Sequence, residues 1–548
     1  MARVLGINAV FHDPAAALVV DGETVAAAEE ERFSRRKHGK EPVPFSAWEL
    51  PVEAARWCLR HAGLDVGEVD AVAYSYDPAL APAPDDLTAD EWEGLRTLYA
   101  RRAPRFLATA LPGLDPARVT FVPHHVAHAA SAHLAAPFPD ASVLVLDGRG
   151  ETASHLAGRS VGGDLEVLAS QTLPHSLGLL YEEVTDHLGF KRSCDEYKVM
   201  ALASYGDRDR FHAEFRSAVF PRDDGGFVVD PLDLDRLARR RRPGDPWTAD
   251  HADLAAAAQR RLEEVLLALA AWLHERTGDA ALTLAGGVAL NCVANARLAA
   301  EGPFDHVWVQ PAAGDAGTAL GAALFTAHAS GDRCLPMASA ALGRGWSDAD
   351  IEAALVEADL VYERPPDLAA VTAAALAAGA VVGWFEGRSE YGPRALGHRS
   401  LLVDPRRADN LARMNAIKGR EEFRPVAPIV LAERADEIFE GVHPSPYMLF
   451  VHRVRPAWRD RIPAVVHVDG TARIQTVDRR DEPLVAALLD AFAARTGVPV
   501  LVNTSFNTAG RPMVDTPRQA LEVAGSSPVD PLVVGPFVVR RRQSVVGE

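Results

Sequence analysis

The sequence predicts an α/β protein built from two domains. Three observations carry that expectation. At 548 residues the chain exceeds what one hydrophobic core organises. Its apolar, strand-like runs repeatedly end in a glycine turn that opens a helical pattern, as at 142–150, 281–291 and 307–321. That grammar changes around 340–366, where proline and short charged pieces mark a boundary, so we expect domains at 1–350 and 351–548.

Composition narrows the class. Hydrophobic residues make up 48% and charged residues 24%, ordinary values for a globular protein. A formal net charge of −18 argues against a general nucleic-acid surface, which would be basic. No apolar run reaches membrane-spanning length. The four cysteines are scattered without a CxxC spacing, so neither a disulfide framework nor a thiolate zinc site is expected. With no charged-then-apolar leader before Arg3, a cytoplasmic setting is expected.

Taken in order, residues 3–8 read as a buried strand, 16–20 as the next, Asp21-Gly22 as a hairpin turn and 24–28 as the return. A hairpin here, with His12 and Asp13 in the loop before it, suits the phosphate-facing edge of an actin-like ATPase fold. The charged cluster 29–38 reads as a solvated helix start, although Lys37 and His38 could line a site. Residues 79–90, rich in proline and acid, read as a surface loop.

His124 and His128 stand four residues apart. On a helix their imidazoles lie one above the other and can share a metal ion, while His125 points about 100° away. The flanking residues Ala127, Ala129, Ala130 and Ser131 are small, which lets a ligand approach closely. Taken alone, the pair fits a metal clamp and an ordinary decorated helix equally well. Matching carboxylates lie downstream in glycine turns, Asp147 in Asp-Gly-Arg-Gly-Glu and Asp315 in Gly-Asp-Ala-Gly. A carboxylate at a strand end followed by glycines brings an acid and backbone amides to a phosphate or metal. Arg239–Arg242 read as a solvated helix end, and 254–277 as a long helix stopped by Gly278. Gly286-Gly287, opening a helix, leaves amides free for phosphate. None of these turns is a Walker A or GxGxxG motif, which disfavours P-loop and Rossmann folds.

In the second half, 381–430 holds eight Arg and Lys418 against six acids, a local +3 in an acidic chain. Guanidinium forks among Gly and Pro suit a phosphate or carboxylate held bidentately. The run 498–502 reads as a strand leading to a polar loop, Asn503-Thr504-Ser505-Phe506-Asn507.

Read together and in this order, these motifs resemble the NodU/CmcH carbamoyltransferase family: His12-Asp13, Glu29 to Phe33, His124 to His128, Asp147 to Glu151, Tyr197 to Met200, Gly286 to Asn291, Gly314 to Gly317, Gly392 to Gly397 and Asn503 to Asn507. The resemblance covers nearly the whole chain. It implies an N-terminal actin-like ATPase domain, similar to the tRNA threonylcarbamoyl-transferases, followed by a YrdC-like α/β domain. It further implies Fe2+ or another divalent metal on His124, His128 and Asp315 with Asp147 nearby, and a nucleotide on Gly286, Gly287, Asn291 and Gly314. The second domain would form carbamoyl-adenylate from carbamoyl phosphate and ATP with Mg2+. Its anion site would be Arg388, Arg394, Lys418 and Arg424, with Ser505 and Asn507. Carbamate would attack the ATP α-phosphate, and the labile adenylate would be kept from water. His12 is the base candidate for attack by a hydroxyl of a small natural product, an antibiotic precursor for instance, and Lys37 would neutralise phosphate. The resemblance also points to a homodimer.

Two other readings stand beside it. His124 and His128 alone suggest a metallohydrolase, but the sequence lacks HExxH and has no Glu between the pair to act as base. An actin-like metal- and ATP-binding regulator would not need the arginine-rich second half.

Overall fold

The computed structural model describes residues 2–39, 49–81 and 91–541. Most of the proline-rich stretch singled out at 79–90 lies outside the described residues. The chain divides into two compact units, 1–337 and 338–548. The boundary expected after residue 350 therefore falls 13 residues earlier. The reason is backbone pairing: Tyr391 N donates to Ala340 O at 2.7 Å and Gly343 N to Ser389 O at 2.8 Å, tying 340–344 to the second unit.

The first unit contains the same sheet twice. Strands β1 (Arg3–Asn8), β2 (Ala15–Val20) and β3 (Glu23–Glu29) form an antiparallel meander. Strands β4 (Ala71–Tyr74) and β5 (Val119–Phe121) then add in parallel on the other side of β1, giving the order β3-β2-β1-β4-β5. The second sheet repeats this plan. Its meander is β6 (Asp140–Leu146), β7 (Ala153–Val161) and β8 (Asp164–Thr172). Parallel β9 (Ala281–Ala285) and β10 (His306–Val309) follow, giving the order β10-β9-β6-β7-β8. This duplicated meander-plus-parallel-pair topology is the actin-like arrangement. The sequence showed only its first hairpin, where Asp21 and Gly22 adopt φ of 54° and 80° as a two-residue turn requires.

Two helices lie between the sheets. Ala316–Ala329 packs on β1 and β2, His124–His133 packs on β6 and β9, and the two pack on each other. Both are rich in Ala, and the second also carries Gly317 and Gly321, so their backbones approach closely. The long helix expected at 254–277 runs from Ala249 to Thr277 and ends at Gly278, whose φ is 64°.

Two expectations for charged runs are corrected. Glu29, Glu30, Glu31 and Arg32 are buried rather than solvated. The Glu30 carboxylate accepts from Ala54 N at 2.9 Å in the first turn of the Val52–His61 helix, where an anion is favoured. Arg239–Arg242 do not end a helix. Arg241 is buried, with its guanidinium 4.5 Å from the Phe190 ring centroid and Nε bonded to the Leu188 carbonyl.

The second unit is an α/β body on one mixed eight-stranded sheet. Its centre runs Val382–Phe385, Arg399–Val403, Val500–Ser505 and Ala427–Leu431. Helices Leu368–Ala377 and Pro483–Thr496 pack together beside it, over a core that includes Trp384, Phe492 and Phe506. The strand expected at 498–502 extends through Ser505, so Asn503, Thr504 and Ser505 belong to it rather than to a loop. Asn503 Nδ2 donates to Gln475 Oε1 at 2.8 Å inside the sheet.

Candidate functional site

The His124–His133 helix starts after Pro123, which has no amide to leave unbonded at a helix entry. That start puts His124 and His128 on one face. Their ring centroids are 4.7 Å apart and the rings are nearly perpendicular. Asp147 follows β6 directly, and Asp315 precedes the Ala316–Ala329 helix. The packing of the two helices and β6 brings all four residues together. His124 Nε2 is 3.6 Å from Asp147 Oδ2 and 3.7 Å from Asp315 Oδ1. His128 Nε2 is 3.9 Å and 3.6 Å from the same two atoms. One donor atom from each residue lies within 4.8 Å of all the others, and all four side chains are buried.

His124, Asp147 and Asp315 are each anchored from behind. His124 Nδ1 is 3.1 Å from the Ser75 carbonyl, so it donates there and leaves the Nε2 lone pair facing the cluster. Asp147 Oδ1 accepts from Gly287 N at 2.9 Å, and Asp315 Oδ2 accepts from His12 N at 2.9 Å. Each carboxylate is thus anchored through one oxygen and turns the other inward, the inward oxygen of Asp147 also accepting from Arg149 N at 3.3 Å. His124 Nε2 and His128 Nε2 are buried with no hydrogen-bond partner. A buried polar atom in that state costs about 1–3 kcal/mol unless something binds it. Two imidazoles and two carboxylates converging on one point fit a divalent transition-metal ion. Burial draws His124 down, but Asp147 and Asp315 beside it hold it well above its ordinary value. His125 stays out of the cluster, and burial pushes it down to about 3.

Of the other residues expected in this unit, His12 and Gly287 bond to the cluster directly. His12 joins it through its backbone, and its Nδ1 is 2.9 Å from Asp13 Oδ2. Lys37 Nζ lies 3.2 Å from Glu31 Oε2, so it is paired within its own segment. Gly286 has a φ of 90°, and a Cβ there would stand 2.1 Å from the Leu146 carbonyl oxygen; only glycine fits against the end of β6. Gly314 lies in the turn that carries Asp315, its carbonyl accepting from Gly317 N. Asn291 is more structural than expected. Its Oδ1 caps the Cys292–Glu301 helix at Ala294 N, and its amide exchanges hydrogen bonds with Gln259.

In the second unit, Lys418, Ser505 and Asn507 come together. Lys418 Nζ donates to Ser505 Oγ at 3.0 Å and Asn507 Oδ1 at 2.6 Å, although Lys418 is buried. Arg394 sits in the 390–399 loop, which Glu390 organises: one carboxylate oxygen accepts from Leu396 N, His398 N and Arg399 N at 2.7 to 3.1 Å. Arg388 Nε donates to the Gly343 carbonyl at 2.9 Å and another guanidinium nitrogen to Leu342, so it braces the 340–344 segment. Arg424 lies 3.4 Å from Glu421. Glu390 escaped sequence reading because a buried loop carboxylate has no spacing signature. Asp13 and Glu151 lie inside the matching motifs, but their type and spacing alone signal no role. Glu151 Oε1 accepts from both Asp77 N and His124 N at 2.8 Å, which anchors the ligand helix.

Comparison with known proteins agrees across both units. The Carbamoyltransferase N-terminus family matches residues 3–81, 97–227 and 233–324, and the Carbamoyltransferase C-terminus family matches 373–541. Nodulation protein NolNO of Sinorhizobium fredii is 40% identical over 554 aligned residues, covering 98% of this chain and 80% of that protein. Nodulation protein NolO of Bradyrhizobium diazoefficiens is 42% identical, covering 76% of this chain and 79% of that protein. Among solved structures, HypF of T. kodakarensis superposes with a TM-score of 0.37 at 16% identity, over 61% of this chain and 49% of that one. Among the described residues no helix is long and apolar enough to cross a membrane. The two matched halves and the near-full-length relatives show that this chain belongs to the carbamoyltransferase family and is an enzyme of that class.

Proposed function

We propose that the protein is an ATP-dependent O-carbamoyltransferase acting in two stages. In the second unit, which we read as YrdC-like, water hydrolyses carbamoyl phosphate to carbamate and inorganic phosphate. Carbamate attacks the ATP α-phosphate, pyrophosphate leaves, and carbamoyl-adenylate forms. Arg394, Lys418 and Arg424 would hold the phosphates, with Ser505 and Asn507 orienting Lys418. In the first unit, a hydroxyl of a small-molecule acceptor attacks the carbamoyl carbon and AMP departs. His12 takes the hydroxyl proton, and the Asp13 carboxylate 2.9 Å from Nδ1 holds the imidazolium that results. The Gly286-Gly287 turn would receive the AMP phosphate near the start of a helix.

The observation that carries this reading is the buried cluster of His124, His128, Asp147 and Asp315 directly beside that turn, with Gly287 N on Asp147. These residues would hold a divalent cation, Fe2+ being the expected one. When bound, it would supply Lewis-acid stabilisation of charge on the adenylate. Against a hydrolase, no carboxylate stands between the two histidines, and the cluster's own acids face inward as ligands. The test uses the purified protein with ATP, carbamoyl phosphate and a panel of polyhydroxylated compounds. Formation of AMP and pyrophosphate only when carbamoyl phosphate is present, with a product heavier by one carbamoyl group, is the expected result. ATP turnover indifferent to carbamoyl phosphate would overturn the proposal.

A further inference from the structure

Beside the cluster just described lies a second convergence of donors. Asp13 stands in the loop before β2 with a φ of 45°, held there because Asn8 Nδ2 donates to the carbonyls of His12 and Asp13 at 2.8 and 2.9 Å. The strained backbone sets the Asp13 carboxylate between two imidazoles. Its Oδ2 is 2.9 Å from His12 Nδ1 and its Oδ1 is 3.0 Å from His38 Nδ1. Both rings therefore spend Nδ1 on one carboxylate, which leaves Nε2 as the ligating nitrogen of each. The rings lie 4.5 Å apart. Cys194 Sγ is 3.9 Å from His12 Nε2, and its side chain also interacts with His38. One donor from each of His12, His38 and Cys194 lies within 4.8 Å of the others.

Three features of this group match a thiophilic metal centre. A carboxylate behind a ligating histidine fixes its tautomer and raises its basicity, and here one carboxylate serves two histidines. In tetrahedral zinc, bond lengths near 2.3 Å to sulfur and 2.05 Å to nitrogen place the two donors about 3.6 Å apart. The observed 3.9 Å needs only a few tenths of an ångström of closure. Finally, Cys194 Sγ faces the same two imidazoles, and a thiol gives up its proton when it binds a divalent ion. The side chains of His12 and His38 remain about a quarter and a fifth exposed, which leaves an entry path and room for water as a fourth ligand.

We propose that His12, His38 and Cys194 form a second metal site, selective for Zn2+ or a similarly thiophilic divalent ion and separate from the His124–His128–Asp147–Asp315 cluster. With one thiolate and the Asp13 carboxylate behind the imidazoles, a divalent ion would be neutralised locally. The two sites touch through the chain, since His12 N donates to Asp315 Oδ2. The ion would occupy the His12 nitrogen assigned above to the acceptor proton, so filling the site would oppose transfer. That consequence, unlike the site, rests on the function proposed above.

The test titrates the full-length protein with Co2+ as a spectroscopic stand-in for zinc, following bound metal and absorbance together. Two equivalents are expected, one of them with a thiolate-to-cobalt charge-transfer band in the near ultraviolet. Cys194→Ser and His38→Gln should each lose the band and one equivalent while keeping the other equivalent, which also shows that they fold. His124→Ala should lose the bandless equivalent and keep the band, so failure of the first site and failure of the second are distinguishable. Native protein without the band, or a band that survives Cys194→Ser, would overturn the site.

Discussion

Gly321 is pressed so closely against Ala127 that a Cβ on Gly321 would stand 1.7 Å from the Ala127 carbonyl oxygen. This contact joins the two helices that carry the candidate metal ligands: Ala127 lies between His124 and His128, and Gly321 lies in the second turn of the helix that Asp315 precedes. Interhelical distance and ligand geometry are therefore one variable. Gly321→Ala must push backbone away from backbone, because no flexible side chain is available to yield. We expect a stability loss of about 3 kcal/mol or more, read from denaturant unfolding, and weaker metal binding in whatever protein folds. Unchanged affinity would mean that the ligands are positioned independently of this crossing.

Separation of the two stages predicts opposite phenotypes. His124→Ala leaves two carboxylates facing each other with one imidazole. It should lose the first metal equivalent and carbamoyl transfer, yet still release pyrophosphate when given carbamoyl phosphate and ATP. Metal analysis and a pyrophosphate assay on the same sample check this. Loss of both activities together would count against two separable sites.

Lys418→Met and Arg394→Ala should do the reverse. Lys418 is buried against Ser505 and Asn507, so it stands preorganised rather than waving in solvent. Removing a preorganised charge at a phosphate typically slows a step about 100-fold or more. The measurement is pyrophosphate release, and the metal content should stay at the native level. Retained adenylate formation would remove these residues from the anion site.

Glu30 gives a pH prediction. Burial raises its carboxyl from an ordinary 4.5 to about 7, against the pull of the Ala54 amide. The folded protein therefore holds a proton that the unfolded chain releases above about 4.5. Stability from this group is present below that pH and is lost as pH rises to about 7. Glu30→Gln keeps an acceptor for Ala54 N and carries no charge. Its melting temperature should exceed the native value at about pH 8, by the equivalent of about 1–3 kcal/mol, and converge with it near pH 5. Equal shifts at both pH values would show that ionisation is not the cause.

Much of the site was legible in the amino-acid sequence because the information was local. A spacing of four places two histidines on one helical face whatever the surroundings. A carboxylate after an apolar strand and before glycines marks a ligand turn, as for Asp147 and Asp315. Boundaries set by backbone preference, such as the Asp21-Gly22 turn and the Gly278 stop, were legible for the same reason. The charged run 29–32 was not. Whether Glu30 faces water or the first turn of the Val52–His61 helix depends on a helix that begins some twenty residues later. Asn503 to Ser505 read as a polar loop because their hydroxyls and amides suggest solvent, yet Asn503 Nδ2 donates to Gln475 of a distant strand inside the sheet.

The sequence by itself determined the α/β class and the shared helical face of His124 and His128, since both follow from residue type and short spacing, while its resemblance to a known family pointed to Asp147 and Asp315 beside them. Only the tertiary structure decided that the first unit is one sheet plan used twice, because strand order is a matter of pairing between segments more than a hundred residues apart. It also decided that Asp13 stands between two imidazoles and that Cys194 meets them. Their donors come from positions 12, 38 and 194, a separation that no local pattern encodes and that only packing closes.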